Sequence, residues 1–343
     1  MYNSQKFFKK NIIWIIFIID KYKRIGVGEY NSIILNNKKF IINSYKIKHE
    51  INNLLKLNNR NITYNFYINN ISNPSILFAL EQAFLFLKKG KFPILYKSEF
   101  TKGIKGLPIN DLLWLNIWKE NKKKILYNKI KKKIFYGFKS IKIKISKNDI
   151  DYQSFIIKKI GYKYPKLQIR LDANGCFNNI NEYLFFINKI KIIKSIYYLE
   201  QPILPGKWKN MAEICKISPI PIALDEEIIG INNLKKKRKI LDFIKPKFLI
   251  IRPSANGGFY ESEEWISEAC KRGIKWGVSS SLESNIGINI ISQWTFIMNN
   301  KYKKYNSYFH GLNTKNIYKN NISITNISIN SKNGFLWYKK NNK

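Results

Sequence analysis

"LQIRLDANGCF" (167–177) alternates apolar and polar residues up to Asp172 and then turns at Asn174-Gly175. Alternation at period two marks a half-buried strand, and Asn-Gly is a strong turn signal. The stretch predicts a strand that carries a carboxylate at its C-terminal end. Similar runs recur on either side: "SIKIKIS" (140–146), "IYYLEQP" (196–202), "IALDEE" (222–227), "FLIIRPS" (248–254) and "KWGVSSS" (275–281). Amphipathic stretches such as "INEYLFFINKIKII" and "ESEEWISEACKRG" lie between them. Strands alternating with helices imply a parallel sheet, and a procession of six or more such units favours a closed (β/α) barrel over an open sheet.

The first hundred residues follow a different rhythm. "IIWIIFIIDKYKRIGVGEY" predicts a strand, a polar turn at Asp20–Arg24 and a second strand holding Gly26 and Gly28. "PSILFALEQAFLFLKKG" starts with proline, carries apolar residues at helical spacing and ends at Gly90, as a helix should. This is an α+β pattern. Near the C-terminus, "ISITNISINSKNGFLWY" has strand character with no helix after it, so it is expected to leave the barrel and pack elsewhere.

Composition restricts the function classes. A formal charge of +39 would ordinarily suggest a nucleic-acid partner. Only six of the 61 basic residues are arginine, however, and the lysines are spread evenly among Asn, Ile and Tyr. Nucleic-acid readers favour the planar arginine fork, so no nucleic acid is expected. The apolar run at 12–19 is far short of the ~20 residues a membrane-spanning helix needs, so no membrane span is expected. Cys176, Cys215 and Cys270 are too widely spaced for a metal or redox pair, which suits buried thiols in a reducing cytoplasm.

The strand ends carry the chemistry. The residues closing successive runs are Lys144, Asp172, Glu200, Asp225, Arg252 and Ser279, each separated from the next by one βα unit. In a (β/α) barrel that end of the strands is the active-site face. A single acid there could be an ordinary strand cap. Three acids in phase with the repeat form an all-oxygen cluster that repels itself unless a cation joins it. With no His or Cys in the set, a hard ion such as Mg²⁺ (or Mn²⁺) suits it best. Lys142 and Lys144 share one face of their strand and are expected to lower each other's pKa, giving a base beside the cation. A base next to a hard cation suggests removal of a proton α to a carboxylate, so the partner expected is a small-molecule carboxylate.

These residues resemble those of the enolase superfamily, in its muconate-lactonizing subgroup, and within that the o-succinylbenzoate synthase family. "GVGEY" is similar to the capping segment G-x-G-E, and "PSILFALEQAFL" to the helix P-S-x-x-x-x-x-E. "KIKIS" resembles K-x-K-I-G, "RLDANGCF" resembles R-x-D-A-N-G, and "LEQPI" and "IALDEEI" complete the metal-ligand set. "SSSLESNIGIN" resembles the seventh-strand motif and "HGLNT" the eighth-strand segment. The resemblance implies an α/β fold, a (β/α)7β TIM-like barrel with an α+β capping domain. It places the cap at 1–104, completed by 314–343, and the barrel at 105–313. It implies Lys144 as catalytic base with Lys142 as its partner, Asp172, Glu200 and Asp225 as metal ligands, and Asn174, Ser279, Ser281 and Gly311 as substrate contacts. It leaves the oligomeric state open.

One departure matters. "IIRPS" puts Arg252 where the subgroup has a second active-site lysine. Lys245 and Lys247 precede that strand and should not reach the site. Arginine stays protonated and is no ready base. Racemases and epimerases need bases on both faces of the substrate carbon, whereas a syn dehydration needs one. The resemblance therefore points to dehydration of 2-succinyl-6-hydroxy-2,4-cyclohexadiene-1-carboxylate, with Arg252 as a cation facing Lys144. An N-acylamino-acid racemase, a dipeptide epimerase or an impaired remnant are the alternatives.

Overall fold

A computed structural model describes residues 12–31, 49–50, 52, 66, 70–113, 123–314 and 329–339. The core element is a seven-stranded, all-parallel sheet whose spatial order follows the chain: β4 (Asp111–Leu113), β5 (Ser140–Lys144), β6 (Gln168–Asp172), β7 (Ile196–Glu200), β8 (Ile222–Leu224), β9 (Phe248–Ile251) and β10 (Lys275–Val278). Helices α2 (Lys123–Phe135), α3 (Ile150–Lys163), α4 (Ile180–Ile190), α5 (Trp208–Ile217), α6 (Leu234–Ile244) and α7 (Phe259–Lys271) connect consecutive strands.

The sheet closes on itself. His310 bridges to Ile109 beside β4, and Gly311 bridges to Ser279 beyond β10. Across this seam the Asn110 amide donates to the His310 carbonyl (2.9 Å) and the Ser280 amide to the Gly311 carbonyl (2.9 Å). Gly311 is needed there, because a Cβ would sit 2.8 Å from the Ser279 hydroxyl. The "HGLNT" segment thus supplies the closing eighth strand of a TIM-like barrel.

Alternation along each strand sorts its side chains. In β6, Ile169 and Leu171 join the buried core, while Arg170 and Asp172 share the opposite face and are buried too. In β5, Lys142 and Lys144 are likewise buried, as their position demanded.

The N-terminal layer has the predicted parts. β1 (Ile13–Ile19) and β2 (Ile25–Asn31) form an antiparallel pair around the Asp20–Arg24 turn. α1 (Pro74–Lys89) begins at Asn73, whose side chain accepts from the Ser75 and Ile76 amides, and ends at Gly90. Gly26 and Gly28 let β2 lie directly on α1: a Cβ at Gly28 would be 1.8 Å from the Ala79 carbonyl oxygen. Phe78 of α1 meets Phe259 of α7 edge-to-face at 5.3 Å, which joins the cap to the barrel. At the C-terminus, β11 (Ile329–Lys332) and β12 (Phe335–Tyr338) form a hairpin that adds to β3 (Leu107–Pro108), so the tail does pack outside the barrel sheet. The first part of that predicted strand region, 322–328, lies outside the described residues.

Candidate active site

Parallel register brings the strand ends level. Lys144 pairs with Asp172 and Asp172 with Glu200, while Glu200 pairs with Ala223, two residues before Asp225. The next residues of the ring, Arg252 and Ser279, follow directly after β9 and β10. Beyond β6 the backbone turns at Asn174 and Gly175, both with positive φ (44° and 70°). Asparagine and glycine tolerate that conformation best, which explains the "DANG" spelling.

The ring is held together by ion pairs. Lys142 lies 2.7 Å from both Asp172 and Glu200. Lys144 is 2.5 Å from Asp172 and donates to the Asn174 side-chain oxygen at 2.5 Å. Arg252 grips Asp225 at two points, with Nε 2.6 Å from Oδ1 and Nη2 on Oδ2. Its Nη1 donates to the Ser280 carbonyl (3.0 Å), tying the end of β10 into the cluster.

Burial and charge set the protonation preferences. Burial alone would raise the pKa of Asp172, but Lys142 and Lys144 outweigh it and hold the carboxyl below the usual range. Asp225 is held down in the same way by Arg252. Glu200 goes the other way, pushed well up by burial and by the charge of Asp172. Burial would lower the Lys142 ammonium, yet Asp172 and Glu200 hold it above the ordinary lysine range. The expected mutual lowering therefore fails for Lys142, because carboxylates rather than a second ammonium dominate its surroundings. Arg252 is raised still further above its ordinary value, its burial outweighed by Asp225.

Among the described residues, no three His, Cys, Asp or Glu side chains converge on one point as they stand. Asp172 and Asp225 face the three basic groups instead. The donor set nevertheless fits a hard cation: all three acids are fully buried oxygen donors on adjacent strands, and Glu200 Oε2 is buried with no donor aimed at it among the described residues.

The substrate-contact candidates divide. Asn174 sits inside the cluster; its amide nitrogen donates to Glu226 (2.7 Å) while its oxygen receives Lys144. Ser279 and Gly311 meet at the seam. Ser281 is buried, and its hydroxyl has no partner among the described residues. Two contributors escaped the sequence reading. Glu226 links to Lys144 through Asn174, and its carboxyl is pushed up to about 7 by burial and by Asp225 and Asp172. Gln201 accepts from the Asp225 and Glu227 amides (both 3.2 Å) and so fixes the turn after β8. The doubled acid in "LDEE" was the available sign of Glu226. Gln201 gave no sign at all. The three cysteines are unbridged, as expected, but half-buried rather than buried.

A closed parallel barrel with acids and lysines on successive strand ends defines a class, and comparison with known proteins identifies it. Residues 128–334 match the family described as enolase C-terminal domain-like, and the chain belongs to it. The o-succinylbenzoate synthase of Desulfotalea psychrophila is 34% identical over 253 residues, 73% of this chain and 64% of that enzyme. The L-amino acid-D/L-Glu epimerase of Sulfurimonas denitrificans is 29% identical over 178 residues, 51% of this chain and 50% of that enzyme. The crystal structure of MenC from Desulfotalea psychrophila superposes with a TM-score of 0.71 at 26% identity, covering 96% of this chain and 99% of the other. The chain thus spans less than two thirds of the length of each of these two relatives in the sequence comparison. No described helix is long and apolar enough to cross a membrane.

Proposed function

We propose that this protein is an o-succinylbenzoate synthase, a lyase of menaquinone biosynthesis that eliminates water from 2-succinyl-6-hydroxy-2,4-cyclohexadiene-1-carboxylate. The observation that carries the reading is the asymmetry of the site: amines on one side, at Lys142 and Lys144, and a guanidinium on the other, at Arg252, locked onto Asp225. A site with one usable base suits syn elimination and handicaps a two-base racemase.

As the base, Lys144 takes the proton α to the ring carboxylate. The resulting ammonium then gives a proton to the departing hydroxyl on the same face, releasing water and leaving the aromatic ring. Lys142 stays charged between Asp172 and Glu200 and keeps their spacing. Arg252 holds Asp225 in place and adds positive charge opposite Lys144. Asp172, Glu200 and Asp225 would hold Mg²⁺ or Mn²⁺, which supplies charge for the substrate carboxylate as negative charge builds on it.

An ultraviolet assay with Mg²⁺ tests the proposal: 2-succinylbenzoate should form and no α-proton should exchange from N-succinylamino acids in D₂O. Prompt exchange with both enantiomers and no synthase product would assign the site to the racemases instead.

A further inference from the structure

The turn from β10 into α8 (Asn285–Lys301) is gripped from outside the barrel. The Asn31 side-chain amide on β2 donates to the carbonyl oxygens of Ser281 (2.9 Å) and Leu282 (2.8 Å). Glu29, two residues earlier and so on the same strand face, accepts from the Ser284 amide (2.7 Å), the Ser284 hydroxyl and the Gly287 amide (2.8 Å). Both side chains are fully buried. A carboxylate at the first turn of a helix answers its unpaired amides and its dipole. Gly287 keeps the space open, since a Cβ there would come within 3.1 Å of the Glu29 carboxyl carbon.

From the barrel side, Glu283 holds the same turn by receiving the Ser280 hydroxyl (2.5 Å) and the Ser281 amide (2.9 Å). Between the two grips Leu282 adopts φ +68°, a left-handed conformation that leucine does not choose for itself. The turn therefore owes its shape to its partners, not to local preference. Its product is the buried Ser281 hydroxyl, which has no partner among the described residues. Glu81 of α1 offers an internal contrast. It caps α7 through the Phe259 (2.5 Å) and Tyr260 (3.0 Å) amides and so joins cap to barrel without touching this turn.

We infer that Asn31 and Glu29 are positioning residues: the capping strand β2 shapes the β10–α8 turn and so aims Ser279–Ser281 at the non-reacting acyl chain of the substrate. The inference rests on the synthase reading for the identity of that substrate. The grip itself does not.

The test uses the full chain with Asn31→Asp, Asn31→Ala and Glu81→Gln. Asn31→Asp is isosteric but turns a donor into an acceptor facing two carbonyl oxygens. It should speed amide exchange at Ser284 and Gly287 and raise KM about tenfold, the worth of a lost hydrogen bond, with kcat within about twofold. Asn31→Ala should do the same more weakly, whereas Glu81→Gln should lower Tm and leave turn exchange and KM unchanged. An equal KM effect from Glu81→Gln, or faster turn exchange with unchanged KM, overturns the inference. If the wild-type chain makes no 2-succinylbenzoate, calorimetry with that compound replaces KM. Faster turn exchange in Asn31→Asp without any binding would then uphold the grip and sink the substrate assignment.

Discussion

The barrel interior buries positive charge in two settings and treats it in opposite ways. Toward the C-terminal end Lys142, Lys144 and Arg252 each meet a carboxylate. Arg170 lies level with Lys142 on the neighbouring strand and one layer below Lys144, yet no carboxylate touches it among the described residues. Its guanidinium donates to the carbonyls of Phe309 (2.7 Å) and Ser307 (3.1 Å) and to the Gln168 side chain, and lies over the rings of Tyr197 and Tyr198. Below it, Lys166, Lys194, Lys247 and Lys275 line a cavity of about 570 Å³ together with Tyr197 and Phe248. The upper charges are paired with carboxylates, whereas Arg170 is satisfied by carbonyl dipoles and π faces and the four lysines below it are exposed. Buried charge marks chemistry only where its partners are themselves ionisable.

The contrast can be broken in four places. Lys144→Ala should cost the most, about 10²–10⁴-fold in kcat by the ultraviolet assay in a variant shown to be folded, because it removes the proposed base. If the folded variant keeps full rate, the base lies elsewhere. Arg170→Met should do the reverse. Losing the guanidinium's hydrogen bonds to the Ser307 and Phe309 carbonyls and to Gln168 should lower unfolding free energy by about 3 kcal/mol in urea, while Mg²⁺ affinity stays as it was. A variant as stable as the wild type would mean that this end is not held by Arg170.

His310 sharpens the comparison at the seam. It is fully buried, accepts from the Val278 amide at Nδ1 (3.1 Å) and meets Asn299 at Nε2 (3.0 Å). Burial, helped by the charge of Arg170, lowers its pKa to about 3. The unfolded chain binds this proton near pH 6.5 and the folded one does not. The contribution is therefore complete above about pH 6.5 and is lost as pH falls toward 3, at about 1.4 kcal/mol per unit. Denaturation of wild type and His310→Gln at several pH values should show that difference in slope; parallel curves would refute it. Smallest of all, Lys247→Ala on the lower rim should shift Tm by less than about 2 °C and leave activity alone, since exposed charges contribute little. A large loss of activity would mean that the lower end takes part after all.

The same contrast explains what was legible in the sequence. Lys144, Asp172, Glu200, Asp225 and Arg252 recur once per βα unit, so their level and their neighbours follow from repeat length alone. The alternation in "SIKIK" was enough to put Lys142 and Lys144 on one face. What charge they would feel was not legible, because Lys142 meets its carboxylates across three strands. The grip of Glu29 and Asn31 on residues 281–287 was hidden by sequence distance: about 250 residues separate the partners, and no local pattern spans that gap. The glycines of "GVGEY" turn out to allow a close strand–helix contact. The stretch was silent on what its glutamate would hold.

The seam described above also governs the order of assembly. Asn110 pairs with His310, and Arg170 reaches Ser307 and Phe309, contacts that join distant parts of the chain. Until residue 311 has left the ribosome, the seven strands can form only an open sheet with two exposed edges. Such contacts of long sequence separation slow folding, and unpaired edges invite association with other chains. The nascent protein is thus most vulnerable to aggregation in the interval between completing β10 and docking "HGLNT".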